Sequence, residues 1–261
     1  MSVNIRTERE GAVLRLIIDR PAKKNALTTA MYDAMTTALT EAATDSAVRV
    51  VLIHGQDGDG GASVFTAGND LGDFMMNPPR GEDSSVFGFL RVATTFPKPL
   101  VAAVAGPAVG IGTTLLLHCD LVYAAPSARF QMPFVNLGLC PEAASSLLVP
   151  RLVGPQKAAE WLLFGEPFYA EDAYRYGLVN EVVHEPDLLT VAMQRCEALA
   201  TRPPAAVRLT KQLLRAPDAD AIQATIRTEG AHFIERLTSP ETAEALTAFM
   251  ERRPADFSKF E

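Results

Sequence analysis

The chain is poor in the residues that staple, metallate or grip nucleic acid. It has 3 cysteines and 4 histidines in 261 residues. Cys119, Cys140 and Cys196 lack metal-site spacing and sit in apolar or helical contexts, so they read as buried thiols of a reducing compartment. His54, His118, His184 and His232 form no cluster, and no metal site is expected. Basic residues are outnumbered, 24 Lys and Arg against 31 Asp and Glu, for a net charge of −7. Nucleic-acid binders usually carry a basic surplus, so that class is disfavoured. An anionic small ligand stays compatible if its cations are local.

Targeting signals are missing too. The N-terminal MSVNIRTEREG is charged from Arg6 onward and has no apolar run. The final SKFE is not a peroxisomal tripeptide. The expectation is a cytoplasmic protein. Pro99 to Leu117 is 19 residues without charge, about the length of a membrane span. Gly106, Pro107, Gly110 and Gly112 punctuate it, so a strand, a turn and a helix are predicted there, and no membrane contact.

Several catalytic signatures are absent. The loop Gly55–Gly61 lacks the Gly-Lys-Ser/Thr of a phosphate loop. Gly106, Gly110 and Gly112 are not in dinucleotide-binding order, and no acid follows at the ribose-reading distance. No Gly-x-Ser-x-Gly seats a serine nucleophile. His118-Cys119-Asp120 reads as a helix end running into a strand, with Asp120 satisfying the turn.

What is present is an ordinary globular composition, 48% hydrophobic and 21% charged. The length allows one large domain or two small ones. A hairpin is predicted from Val3–Glu8 and Val13–Ile18 around Gly11. Thr28 caps a helix with Met31, Met35, Leu39 and Ala42 on one face. Buried strands are predicted at Val48–His54 and Leu100–Val104, and further strands at Leu121–Ala124, Phe130–Met132 and Leu178–Val183. A helix is predicted to start at Pro141, and others to span 187–200, 204–214, 219–236 and 240–252. Alternating strands and helices imply an α/β fold with a largely parallel sheet. Periodicity leaves open whether the helical tail packs on its own core or on a neighbouring subunit.

Two segments share one logic. Phe65-Thr66-Ala67-Gly68-Asn69-Asp70-Leu71 and Gly106-Pro107-Ala108-Val109-Gly110-Ile111-Gly112 each follow a buried strand and run through glycine into a helix start. The first backbone N–H groups of a helix lack intrahelical partners. Two of them facing one point would bind a carbonyl oxygen and stabilise it as an oxyanion. From the residues alone, two ordinary glycine turns are the favoured reading of these segments. Glu142, in Cys140-Pro141-Glu142-Ala143-Ala144-Ser145-Ser146, is either an acid complementing a helix dipole or a general base beside a cavity left by small side chains.

Together these residues resemble the crotonase (enoyl-CoA hydratase/isomerase) superfamily. The supporting pieces run along the whole chain: Arg20 to Leu27, Phe65 to Leu71, Lys98 to Val104 with Gly106, Cys119-Asp120 with Phe130, Gly177 to Asn180, Leu209 to Lys211, and Ala248 to Pro254. The resemblance implies a ββα spiral superhelix over residues 1–200 and a C-terminal helical oligomerisation region over 201–261. It implies a homotrimer or a dimer of trimers, an acyl-CoA thioester substrate and a place in fatty-acid β-oxidation. No cofactor is implied, CoA being part of the substrate. Carried over by position, Asn69 and Ile111 supply the oxyanion-hole amides, although the family usually has glycine at the second. Lys23, Lys24, Ala67, Gly68, Asp70, Leu71, Gly110 and Phe134 fall at substrate or CoA positions, with Arg20 a further local cation. Phe233 and Arg252 would reach a neighbour's CoA. His118 is expected to pack rather than to react.

The two glutamates of the family's hydratases fall at Thr114 and Phe134, neither of which moves a proton at neutral pH. This arrangement is similar to that of the peroxisomal-type Δ3,Δ2-enoyl-CoA isomerases, whose single catalytic glutamate matches Glu142. The expected activity is therefore enoyl-CoA isomerisation. Hydration, thioester hydrolysis and CoA-thioester binding without catalysis are the alternatives.

Overall fold

The computed structural model describes residues 4–58 and 61–260. Val3 of the expected first strand, Asp59 and Gly60 of the glycine loop, and the terminal Glu261 lie outside the described residues. The hairpin forms from β1 (Ile5–Glu10) and β2 (Val13–Ile18), with Ile5 opposite Ile18. The α1 helix (Thr29–Thr44) follows, and the Thr28 hydroxyl accepts the Met31 N–H as its cap. Met31, Met35, Leu39 and Ala42 are buried, as their spacing predicts.

The β3 strand (Val50–Gly55) leads through the first glycine segment to α2 (Leu71–Met76) and α3 (Ser85–Thr95). Two similar units come next. The β4 strand (Leu100–Val104) is followed by β5 (Pro107–Val109) and α4 (Ile111–Thr114), and β6 (Leu121–Ala124) by β7 (Arg129–Gln131) and α5 (Ser145–Val153). Then come α6 (Pro155–Phe164), β8 (Phe168–Tyr169), α7 (Ala170–Arg175) and β9 (Glu181–Val182). The tail is α8 (Leu188–Ala200), α9 (Pro204–Arg215), α10 (Ala219–Leu237) and α11 (Pro240–Glu251), close to the predicted bounds.

The strands form two sheets. One has the order β1-β2-β3-β4-β6-β9, parallel apart from β1, and the other β5-β7-β8. In the two middle units the first strand joins the large sheet and the second joins the small one, which is a ββα repeat winding between two sheets. Both faces of the large sheet are covered. Val51, Ile53, Ala102 and Val104 pack into the core with α1 and α3, and Val50, Leu52, Val101 and Ala103 pack against Ala192 and Cys196 of α8. That is why these strands read as unbroken apolar runs rather than alternating ones.

Three expectations change. The helix expected from Pro141 begins at Ser145, because Ala143 and Ala144 take φ of 58° and 57°, in the left-handed region. Leu178–Val183 keeps only Glu181–Val182 as strand. The stretch from Pro107 to Val109 pairs with β7 before the turn into α4.

The tail packs on its own core, which periodicity could not decide. Lys211 Nζ lies 2.7 Å from both Asp120 Oδ2 and the Lys98 carbonyl. The Arg215 guanidinium donates to the carbonyls of Leu117, His118 and Cys119. Asp120 also accepts the Leu100 N–H at 2.8 Å, so it is an anchor between strand and tail, as its turn role implied. Among the described residues no helix is long and apolar enough to cross a membrane, and no group of His, Cys, Asp and Glu is arranged to hold a metal.

Candidate active site

The two glycine segments meet edge to edge. The Thr66 N–H donates to the Pro107 carbonyl and the Val109 N–H to the Thr66 carbonyl, each at 3.0 Å. Gly68 lies so close to the second segment that a Cβ there would sit 2.7 Å from the Val109 carbonyl oxygen, and its φ is +85°. Only glycine satisfies both demands.

Asn69 is bridged to Leu27 in parallel fashion. The Leu27 N–H donates to the Gly68 carbonyl and the Asp70 N–H to the Leu27 carbonyl, each at 2.8 Å. In that pattern the central residue's own N–H points away from its partner. Gly110, with φ 56° and ψ −119°, turns the chain into α4 and leaves the Ile111 N–H in the first turn. Among the described residues neither the Asn69 N–H nor the Ile111 N–H has a protein acceptor. Both residues line one cavity of about 330 Å³.

Glu142 lines the same cavity, surrounded by Phe74, Phe134, Leu139 and Phe233. It is the only acid among the described lining residues. Its Oε1 accepts the Thr114 hydroxyl, and among the described residues no cation pairs with it. Burial pushes its pKa from 4.5 up to about 8; the Thr114 bond opposes the rise and the charge of Glu229 adds to it. Tyr32 donates its hydroxyl to Asn69 Oδ1 at 2.5 Å, behind the Asn69 peptide. Its phenol is held protonated by burial and by the nearby Glu142.

The expected site residues divide. Asn69, Ile111 and Glu142 converge on the cavity, and Ala67, Gly68, Leu71, Gly110 and Phe134 line it with them. Asp70 does not. It caps α2 by accepting the Asp73 N–H and pairs with Arg20 at 2.6 Å. Lys23 and Lys24 are exposed on the turn after β2, outside the cavity lining. The Lys24 carbonyl accepts the Ala67 N–H at 2.9 Å, so that turn abuts the cavity's edge. Phe233 lines the cavity of its own chain, because α10 folds back over it. Arg252 is exposed at the end of α11 and outside the lining. His118 is buried, meets the Ala143 carbonyl through Nε2 at 2.8 Å, and has its pKa lowered by burial to about 4, in keeping with packing.

Sequence reasoning missed Thr114 as the partner of Glu142, weighing it only as a missing acid. It missed Tyr32 and Glu229. Glu229 did leave a signal: it falls in the apolar stripe of Ile222, Ile226 and Phe233 on α10, where a charge needs a partner.

Comparison with known proteins identifies the family. Residues 8–259 match the family model described as enoyl-CoA hydratase/isomerase. Enoyl-CoA delta isomerase 2 of Rattus norvegicus is 38% identical over 251 residues, covering 94% of this chain and 63% of its own length. The chain thus spans less than two thirds of that relative. The 2,3-dehydroadipyl-CoA hydratase of Escherichia coli (strain K12) is 34% identical, with 95% of this chain and 96% of that protein covered. Among solved structures, Pseudomonas aeruginosa OdaA superposes with a TM-score of 0.92 at 50% identity, covering 96% of this chain and all of that one.

Proposed function

Since the chain belongs to the enoyl-CoA hydratase/isomerase family, we propose that it is a Δ3,Δ2-enoyl-CoA isomerase with Glu142 as its single base. One observation carries this reading: Glu142 is the only acid among the described residues of an apolar cavity that also receives two unpartnered N–H groups. Hydration needs one group to activate water and another to protonate carbon. Isomerisation needs one base that can give back what it takes.

In this reading the thioester carbonyl of a 3-enoyl-CoA accepts the Asn69 and Ile111 N–H groups. Its C2 protons are acidified by the carbonyl and the alkene together. Glu142 removes one, and the C2–H electron pair spreads through the dienolate onto the thioester oxygen. Protonated Glu142 then delivers the same proton to C4, and the double bond comes to rest between C2 and C3. A base whose pKa is lifted towards 8 is suited to both steps near neutral pH. The apolar walls favour an unsaturated hydrocarbon chain. Lys23 and Lys24 are our candidates for the CoA phosphates, because Arg20 is already paired with Asp70. The exposed Leu209, Leu213 and Leu214 of α9, with Phe249 and Met250 of α11, supply apolar surface for the proposed homotrimer or dimer of trimers.

A paired ultraviolet assay tests the activity. Conjugated absorbance rising on a trans-3-enoyl-CoA, with little change on the matching trans-2-enoyl-CoA, is the expected result. Loss of absorbance from the 2-enoyl substrate would establish hydration instead. Silence in both would point to hydrolysis or to binding alone.

A further inference from the structure

The cavity does not explain how Glu142 is aimed. Residues 142–144 do not follow the helix that a leading proline suggests. Ala143 and Ala144 are both left-handed, a conformation that alanine avoids, and α5 starts only after them. Successive non-glycine residues persist there only when their surroundings hold them. Three contacts do so. Thr114 holds the Glu142 carboxylate. His118 meets the Ala143 carbonyl. Glu229, reaching across from α10, accepts the Ala144 N–H on Oε2 at 2.6 Å and the Ser146 N–H on Oε1 at 2.9 Å.

Glu229 is the acidic member of the three and is only 7% exposed; burial raises its pKa above the ordinary carboxylate value, and its bonds to Ser146 and Ala144 oppose that rise. Its two acceptor bonds meet N–H groups at the start of α5 that have no intrahelical partner. A buried carboxylate is costly unless such bonds compensate it, so its presence in the apolar stripe of α10 calls for a role. It stands outside the cavity and touches no substrate position. We propose that Glu229 is a positioning residue: by holding the Ala144 and Ser146 N–H groups it fixes the exit of the Ala143–Ala144 turn, and so aims the Glu142 carboxylate at the oxyanion site. The C-terminal tail therefore completes the chemistry of its own chain, in addition to any part it takes in assembly.

The clamp has an electrostatic side. The Glu229 charge lies close enough to Glu142 to raise its proton affinity. The other titratable groups facing this region are few. They are Cys140, whose thiol is near the Glu229 carbonyl; Arg236 with its partner Glu241; His118 behind Ala143; and Tyr32 towards Asn69. Removing the Glu229 charge should therefore lower the pH at which Glu142 ionises, and removing its reach should loosen the aim.

This inference rests on Glu142 being the base, and the test separates the two. Glu229→Gln removes the charge and one acceptor, and Glu229→Asp keeps the charge but withdraws the oxygens. For both variants kcat on a 3-enoyl-CoA should fall about 10–100-fold, as for a misaimed group. KM, and the affinity for a saturated acyl-CoA measured by calorimetry, should change less than about twofold, since no substrate contact is lost. For Glu229→Gln the rising limb of kcat/KM should move to lower pH, whereas Glu229→Asp should shift it less. Independently of turnover, the protonated-carboxyl infrared band that Glu142→Gln abolishes should titrate at lower pH in Glu229→Gln. Unchanged kcat and an unmoved band would overturn the proposal. So would a loss of kcat matched by a loss of acyl-CoA binding, which would mark a merely structural acid. If Glu142→Gln keeps wild-type turnover, the isomerase reading fails, and the band shift still decides what Glu229 does to Glu142.

Discussion

Glu142→Gln should do two opposite things, and together they identify a catalytic acid shielded from water. The substitution keeps size and shape and leaves an oxygen to accept the Thr114 hydroxyl. Turnover should fall by about 10²–10⁴-fold, the usual worth of a positioned general base. Stability should rise, by more as the pH climbs from 4.5 towards 8. Below pH 4.5 the Glu142 carboxyl is protonated in both folded and unfolded chains, and its contribution is complete. Between 4.5 and about 8 the unfolded chain releases the proton while the folded one keeps it, so stability falls as pH rises through that window. At about 1.4 kcal/mol per pH unit, the full window is worth roughly 5 kcal/mol as a ceiling. The cavity opens to solvent and relaxation reduces the penalty, so a gain of about 1–3 kcal/mol for Glu142→Gln at pH 9 is expected, against almost none at pH 5. Urea unfolding at the two pH values measures it. Equal stability of variant and wild type at both would show that the carboxyl is not held protonated by burial. Retained turnover would show that it is not the base.

Other consequences follow from the same geometry. The kcat/KM for isomerisation should climb with pH and level off above about 8, because the ionised form of Glu142 is the active one. Thr114→Val removes the bond that opposes this rise, so a pH–rate profile should show its limb moved to higher pH. Gly68→Ala should lower thermal stability by about 1–3 kcal/mol and abolish turnover, since its Cβ would press on the Val109 carbonyl at a left-handed φ. Full activity in that variant would mean that the two segments need not touch. Lys23→Met with Lys24→Met should raise KM for a CoA ester with little change in kcat, and added salt should shrink the difference. A salt-independent KM would move the phosphates elsewhere.

Much of the molecule was legible without the structure, for local reasons. The Thr28 cap and the spacing of Met31, Met35 and Leu39 determine α1 within a few residues of chain. The four tail helices follow their own periodicity and prolines. The glycines of the two segments and Glu142 allowed an oxyanion site and one base, and the resemblance to the crotonase superfamily made that the leading reading. What failed locally failed for a local reason too. Pro141 signals a helix start, yet two left-handed alanines follow it, because Glu229 and His118 hold them from outside the segment.

The sequence by itself determined the element types, the two glycine turns and the absence of a second acid, since each depends on neighbouring residues or on residue identity. Only the tertiary structure decided what surrounds Glu142. Thr114 is 28 residues away from it, and Glu229 is 85 from the alanine it clamps. Contacts over such separations leave no period and no spacing in a single chain. The Glu229 contact arises because α10 folds back over its own cavity, and the Thr114 contact because α4 lies beside the segment that leads into α5. The same packing removes water from the carboxyl and lifts its pKa, which no reading of neighbours along the chain supplies.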